Sequence, residues 1–389
     1  HLGYRRFHRL ASLNATSTNR GFGGLNQREV DVAYAFRSAI DGVIAATPDL
    51  LVIAGDLFHT PRPSNAILAF CVRQLKRLQV EVDLPIVVVG GANDTPRRVD
   101  TGSVLRVIGE LAGVHVADLR SESFSFPDLD VRVMCMPYRA LPHVAELELR
   151  AIDEQRWNIL VAHGNIAAFV SDKDQDALLS TLNPSEWDYI ALGGMHVSTT
   201  IGSNAAYCGA TEYTSNHFWN EISDRKGFLT VDLPELSMSF ERIPMQREFV
   251  ALPPVDAMDS SAEEIMLKVV EQLNAVVGGI DGKVVRMQIR NISHARYAEL
   301  DHRILRDFRA RALNLSIEIE AVSAQRSTNT KNKGGRRGLL EQLHEFIVDA
   351  DGELALNDKR WASLLEYWER TLVEEERSAA VANAKRGQL

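Results

Sequence analysis

Four apolar runs in this chain end in glycine beside a side chain able to hold a metal ion, and that repetition restricts the fold more than any other feature. Leu51-Val52-Ile53-Ala54 leads into Gly55-Asp56-Leu57-Phe58-His59, and Ile86–Val89 into Gly90-Gly91-Ala92-Asn93-Asp94. Ile159-Leu160-Val161-Ala162 leads into His163-Gly164, and Tyr189-Ile190-Ala191-Leu192 into Gly193-Gly194-Met195-His196. Such runs, rich in β-branched residues and without polar alternation, read as strands buried on both faces, the habit of a parallel sheet. In open α/β sheets, ligands bind beyond the carboxyl ends of the strands. A single Gly-Asp pair ordinarily makes a turn in which the aspartate bonds nearby backbone, and a single histidine after a strand ordinarily packs or hydrogen-bonds. Repeated along one sheet edge, these ends converge, and a shared site becomes the better reading.

Helical patterns over 28–46 and 64–79 alternate with the runs, so residues 1–247 read as one α/β domain. After Gly193 the pattern turns to short strands: Tyr207-Cys208-Gly209, 227–231 and 237–240 predict the antiparallel half of a two-sheet sandwich. Pro253-Pro254 breaks the pattern, and residues 248–325 predict a smaller α/β module with a strand at Phe249–Ala251, a helix over 262–277, a strand over 284–289, a helix over 294–311 and a strand over 315–322. A polar, glycine-bearing stretch at 326–338 reads as a linker, and residues 339–389 as a helical tail. In that tail Leu343 and Phe346, then Trp361, Leu365 and Trp368, recur at helical spacing and need a surface to cover them, supplied by a partner or by the chain's own core.

The chain of 389 residues is 45% hydrophobic, enough for a large core, and no stretch approaches the roughly eighteen unbroken apolar residues of a membrane span. Cys71, Cys135 and Cys208 lie without metal-finger spacing and fit a reducing, cytoplasmic compartment. A net charge of -9 argues against a surface that is basic throughout, while leaving room for a local basic track. Arg62, Arg97 and Arg98 are the candidate substrate contacts. No P-loop, Ser/His/Asp arrangement or Rossmann glycine fingerprint is present, so any ATP hydrolysis must come from a partner.

The order of the four motifs resembles that of the calcineurin-like metallophosphoesterases: D-x-H, then G-D, then G-N-H-D/E, then a lone His, then G-x-H or G-H-x-H. His1-Leu2-Gly3-Tyr4, Gly55-Asp56-Leu57-Phe58-His59 with Arg62-Pro63-Ser64, and Tyr207-Cys208-Gly209-Ala210-Thr211-Glu212 narrow the resemblance to the SbcD-type nuclease subunits of the double-strand-break repair complex. The resemblance implies two stacked sheets flanked by helices, a small α/β cap that helps hold DNA, and a helical tail that docks on an SbcC-type coiled-coil ATPase. It also leaves a homodimer open and implies no membrane.

Carried over position by position, the resemblance makes His1, Asp56, His163 and His196 metal ligands, with Asp56 shared between two ions. The partner of His1 in D-x-H would lie upstream of the first residue given, together with the first strand. Three positions depart from the pattern: Ala92 stands at the Asn ligand, Asn93 at the catalytic His, and Gly194 at one His of G-H-x-H. The first ion therefore keeps His1, Asp56 and His196 and is expected to be held firmly, while the second keeps only Asp56 and His163 and is expected to be held weakly, with Mn2+ as the implied metal. An amide cannot protonate a leaving group, though Asn93 can hydrogen-bond a phosphate oxygen. A one-residue shift would instead make Asn93 the missing Asn ligand, at the cost of moving Asp94 out of register. His59 is an alternative acid or phosphate contact, or a hydrogen-bonded loop histidine. The expected activity is metal-dependent hydrolysis of DNA phosphodiesters. The alternatives are a catalytically weakened DNA-binding or scaffolding subunit, and a small-molecule phosphatase, which would explain neither the cap nor the tail.

Overall fold

The computed structural model describes residue 2 and residues 26–321, apart from 99–101, 147–148, 152–153, 168–176 and 216. The chain divides into two compact units, His1–Val322 and Ser323–Leu389. His1, the linker at 326–338 and the tail at 339–389, with Leu343, Phe346, Trp361, Leu365 and Trp368, lie outside the described residues.

The first sheet holds β1 (Leu51–Ile53), β2 (Ile86–Val89) and β3 (Val114–Ala117), all parallel and in that order. Its outer face is covered by α1 (Gln27–Ala46), α2 (Asn65–Glu81) and α3 (Leu105–Gly109). Asn26 opens α1 by accepting from the Arg28 N–H, and Ser64 opens α2 by accepting from Ile67. Ile67, Phe70, Cys71, Leu75 and Leu78 then recur at helical spacing and form the buried face of α2. Leu2 joins this core at 1% exposure and pairs with Phe58 in an isolated parallel bridge.

The second sheet holds β4 (Glu122–Phe126), β5 (Val131–Met136), β6 (Trp157–His163), β9 (Tyr189–Gly193), β10 (Thr199–Ile201) and β11 (Ala205–Tyr207), in the order β10-β11-β9-β6-β5-β4. A two-residue pair, β7 (Ile166–Ala167) with β8 (Ala177–Leu178), stands outside it. Period-two alternation decides what each strand faces. Ile86 and Val88 point to the helices, whereas Val87 and Val89 meet Val133, Cys135 and Val161 of the second sheet. Leu160, Ala162, Ile190 and Leu192 turn to the opposite face, under a layer that includes Leu141 and Trp187. Two stacked sheets with outer layers are therefore present, as the sequence predicts. With no side chain of β2 exposed, and about 1.5–3 kcal/mol gained per buried Val or Ile, this strand anchors both layers.

The strands after Gly193 are distributed differently from the antiparallel half-sandwich predicted. β11 runs parallel to β9 and only the edge strands β10 and β4 are antiparallel, so the second sheet is parallel at its centre. The predicted strand at 207–209 is β11, ending at Tyr207. The runs near 227 and 237 form a separate hairpin, β12 (Gly227–Asp232) with β13 (Ser237–Arg242). Phe228 packs against the helix-side core, while Val231 and Met238 pack against the core between the sheets.

Residues 249–321 form their own parallel sheet: β14 (Phe249–Ala251), β15 (Val255–Asp256) and β17 (Asn314–Ala321) each pair with β16 (Val284–Ile292). With α4 (Ala262–Asn274) they enclose a distinct core around Ile265, Val269, Met287 and Ile289. The helix predicted over 294–311 is two helices, α5 (His294–Ala298) and α6 (His302–Arg311), because the Asp301 side chain caps a new helix by accepting from Arg303. A buried ion network ties this module to α1. Arg28 donates to Asp31 at 2.8 Å, Glu212 at 3.1 Å and the Tyr213 carbonyl at 2.9 Å, and lies over the Phe249 ring. Arg247 donates to both oxygens of Asp31, at 2.6 and 2.9 Å, and to the Gly282 carbonyl.

Candidate metal centre

The carboxyl ends of β1, β2, β6 and β9 bring Asp56, Asn93, Asp94 and His163 together, with His196 in the segment that follows β9. Close approach explains the glycines that end these strands. A Cβ on Gly193 would stand 1.7 Å from the Ala54 carbonyl oxygen and 2.9 Å from His163 Nδ1, and one on Gly91 would stand 2.2 Å from Asp56 Oδ1. Asp56 is buried at 8% exposure and adopts φ 53, a left-handed conformation uncommon for a residue with a side chain. Strain of this kind persists where the surroundings enforce it and clusters at functional sites.

His163 is 2% exposed, and its Nδ1 lies 2.7 Å from the Ala54 carbonyl oxygen. A carbonyl only accepts, so Nδ1 carries the hydrogen and Nε2 of the neutral ring presents a lone pair. That Nε2 lies 3.6 Å from Asp56 Oδ1. Two electron-pair donors face each other, an arrangement stabilised by a cation between them, and the bond from the other ring nitrogen to a backbone carbonyl is the usual way to orient a metal-binding histidine. The pair fits a divalent ion. His196 is half-buried and within electrostatic reach of Asp56. Among the described residues, no three His, Cys, Asp or Glu side chains close into one site by themselves.

Asn93 is turned onto Asp56: its backbone N–H donates to Oδ1 at 2.7 Å and its Nδ2 to Oδ2 at 2.6 Å. Ala92 faces solvent. Asp94 is fully buried, accepts from the Gly91 N–H at 2.7 Å and the Phe58 N–H at 3.4 Å, and is pushed up to about 6 by burial and by the neighbouring Asp56 carboxylate. Burial holds the half-buried His59 below the usual histidine range. Arg62, Arg97 and Arg98 are exposed in the loops that follow β1 and β2, and Arg139 braces the second of these through the carbonyls of Pro96 and Arg97.

Sequence reasoning missed several neighbours. Tyr138, 37% exposed, sets its ring edge-on to His163 at 6.4 Å, and its backbone N–H bonds the Gly90 carbonyl. The buried Tyr207 hydroxyl donates to the Gly164 carbonyl at 2.8 Å and accepts from Ile166, fixing the loop after His163. Tyr138 has no local signal, and the motif that contains Tyr207 does not show this contact, since each reaches the site through long-range sheet pairing.

Stacked sheets with a buried carboxylate and imidazole at their common edge have the donor chemistry that a divalent metal requires, and similarity to known proteins supplies the class: metal-dependent phosphodiesterases. Residues 29–198 match the calcineurin-like phosphoesterase family. The chain carries that domain and is homologous to the Mre11 and SbcD nucleases. The DNA double-strand break repair protein Mre11 of Thermoplasma acidophilum is 26% identical over 264 residues, covering 65% of this chain and 68% of that protein. The Mre11 of Methanocaldococcus jannaschii is 26% identical over 394 residues, covering 95% and 96%. The SbcD component of the nuclease SbcCD of Staphylococcus epidermidis is 24% identical over 278 residues, covering 64% and 70%.

Proposed function

We propose that the chain is a DNA-repair phosphodiesterase of the SbcD type, dependent on Mn2+ and acting with a coiled-coil ATPase that docks on residues 339–376. The observation that carries this reading is the lone pair of His163 Nε2 set 3.6 Å from the Asp56 carboxylate at the shared edge of the two sheets. A divalent ion, when bound, would supply Lewis-acid activation of water and neutralisation of phosphodiester charge. Asp56 would be shared, with His196 and His1 as the further donors to a first ion and His163 as the further donor to a second. Asn93 steadies Asp56, and its amide oxygen is itself a donor atom for a hard cation. These contacts support the one-residue shift, with Asn93 standing in for the missing Asn ligand, over its reading at the catalytic His position, since Asp94 keeps its bonds to Gly91 and Phe58. His59, kept neutral by burial, is a poor store for a leaving-group proton and serves better as a hydrogen-bond contact to phosphate. The exposed Arg62, Arg97 and Arg98 would neutralise DNA phosphates.

A second reading, a DNA-binding or scaffolding subunit without turnover, draws on Ala92 and Gly194, which supply no donor. One experiment separates the two: Mn2+ titration and nuclease assay of the full chain beside Asp56→Ala. The phosphodiesterase reading expects hydrolysis that Asp56→Ala abolishes together with metal binding. Metal binding without hydrolysis favours the scaffold, and no metal binding sinks the metal centre.

A further inference from the structure

Behind His196 lies a second set of buried charges that the proposed chemistry does not use. The Lys226 side chain has 0% exposure and pairs with Glu221 at 2.7 Å. Its Nζ also donates to the backbone carbonyl of His196 at 2.8 Å and stands 4.9 Å from the centre of the Tyr213 ring. Each part of this enclosure is itself fixed. The Tyr213 hydroxyl bonds the carbonyls of Ile222 and Asp224, each at 3.1 Å, and the Lys226 carbonyl accepts from Ile243 at 2.9 Å. Among the described residues, Lys226 Nζ donates to the Glu221 carboxylate and the His196 peptide carbonyl.

That peptide needs an external hold. His196 follows two glycines, Gly193 and Gly194, the second at φ 114, in the stretch between the end of β9 and the start of β10. The Ala210 N–H, at 3.1 Å, shares the carbonyl with Lys226. A buried ion pair is weak evidence for stability, since apolar residues of similar volume often serve as well. Its value lies in where it places the groups it touches. We infer that Lys226, held in turn by Glu221, is the positioning residue for His196, fixing the peptide so that the imidazole stays at the metal edge of the sheets. The inference rests on the metal-centre reading.

The test is Mn2+ titration by calorimetry on the full chain and on Lys226→Met, Glu221→Gln and His196→Ala. Thermal unfolding without metal serves as the fold control, and the visible spectrum of the Co2+-loaded chain as a probe of ligand geometry. Outer partners of metal ligands are typically worth about 10–100-fold in affinity. Lys226→Met should weaken one ion by that factor, match His196→Ala, alter the Co2+ spectrum and retain cooperative melting. Glu221→Gln, which keeps an acceptor, should show a smaller loss. Wild-type affinity and spectrum in Lys226→Met, against a clear loss in His196→Ala, overturn the positioning role and leave the metal centre standing. Absence of metal binding by the wild type, or no loss in His196→Ala, overturns the assignment of His196 itself. Should Lys226→Met fail to melt cooperatively, Glu221→Gln decides. Unchanged affinity there, or loss of its cooperative transition too, makes the pair a core tie and overturns the inference.

Discussion

At Gly194 the backbone holds φ at 114, and a Cβ there would sit 3.2 Å from the Gly164 carbonyl oxygen. The position where the family pattern has histidine therefore lacks more than a side chain: its peptide is shaped for glycine. Gly194→His should cost about 1–3 kcal/mol in urea unfolding and gain no Mn2+ affinity. A variant that binds a second ion tightly at unchanged stability would refute this. Ala92 is the opposite case, exposed and with its neighbour Asn93 already on Asp56. Ala92→Asn should shift stability by no more than about 0.5 kcal/mol and leave the first ion unaffected, by the same titration. The identities of Asp56, His163 and His196 were legible as strand-end residues. The direction in which Asn93 turns was not, because it depends on the register between β1 and β2.

At the scale of elements, the joint between α1 and the module at 249–321 is set by Asp31, 3% exposed at its side chain and shared by Arg28 and Arg247. Burial alone would raise its pKa, but bonds from Arg247 and Arg28 outweigh that and hold it below the usual aspartate range. The stability it contributes is thus fully present above the ordinary aspartate pKa of about 3.9 and is lost as pH falls through the lower folded value. Asp31→Asn should cost about 3–5 kcal/mol at pH 7, since Arg247 loses its carboxylate partner and Arg28 keeps only Glu212 of its two, and should flatten the acid limb of a stability-pH curve measured by urea unfolding. An acid limb identical to wild type would assign that loss elsewhere. The strands β1, β2, β6 and β9 and helices α1 and α2 were readable because burial writes itself into composition and period. The break between α5 and α6 turns on a single cap at Asp301, and the pairing of β11 beside β9 turns on a long-range choice that no local pattern encodes.

For the whole molecule, the division at Val322 and Ser323 assigns to the first unit the described part of the candidate centre and the five buried clusters found among the described residues. Truncation after Val322 should leave the midpoint and cooperativity of thermal unfolding unchanged while abolishing co-purification with a coiled-coil ATPase. A truncated chain that aggregates would assign residues 339–376 to the core instead. Among the described residues no helix is long and apolar enough to cross a membrane. The layered α/β plan and the two antiparallel strands of the hairpin at 227–242 were visible in the sequence, whereas the hairpin's separation from the second sheet was not, since its packing on two cores has no local signature.

The two sheets meet through Val87 and Val89 on one side and Val133 and Val161 on the other, and that seam governs when the molecule can become reactive. Asp56 comes before it in the chain, His163 at its far edge and Lys226 well beyond. Pairings of such sequence separation form late, after the local helices. A chain still emerging or refolding therefore carries its ligands apart, and hydrolytic power arrives only when the last strands close.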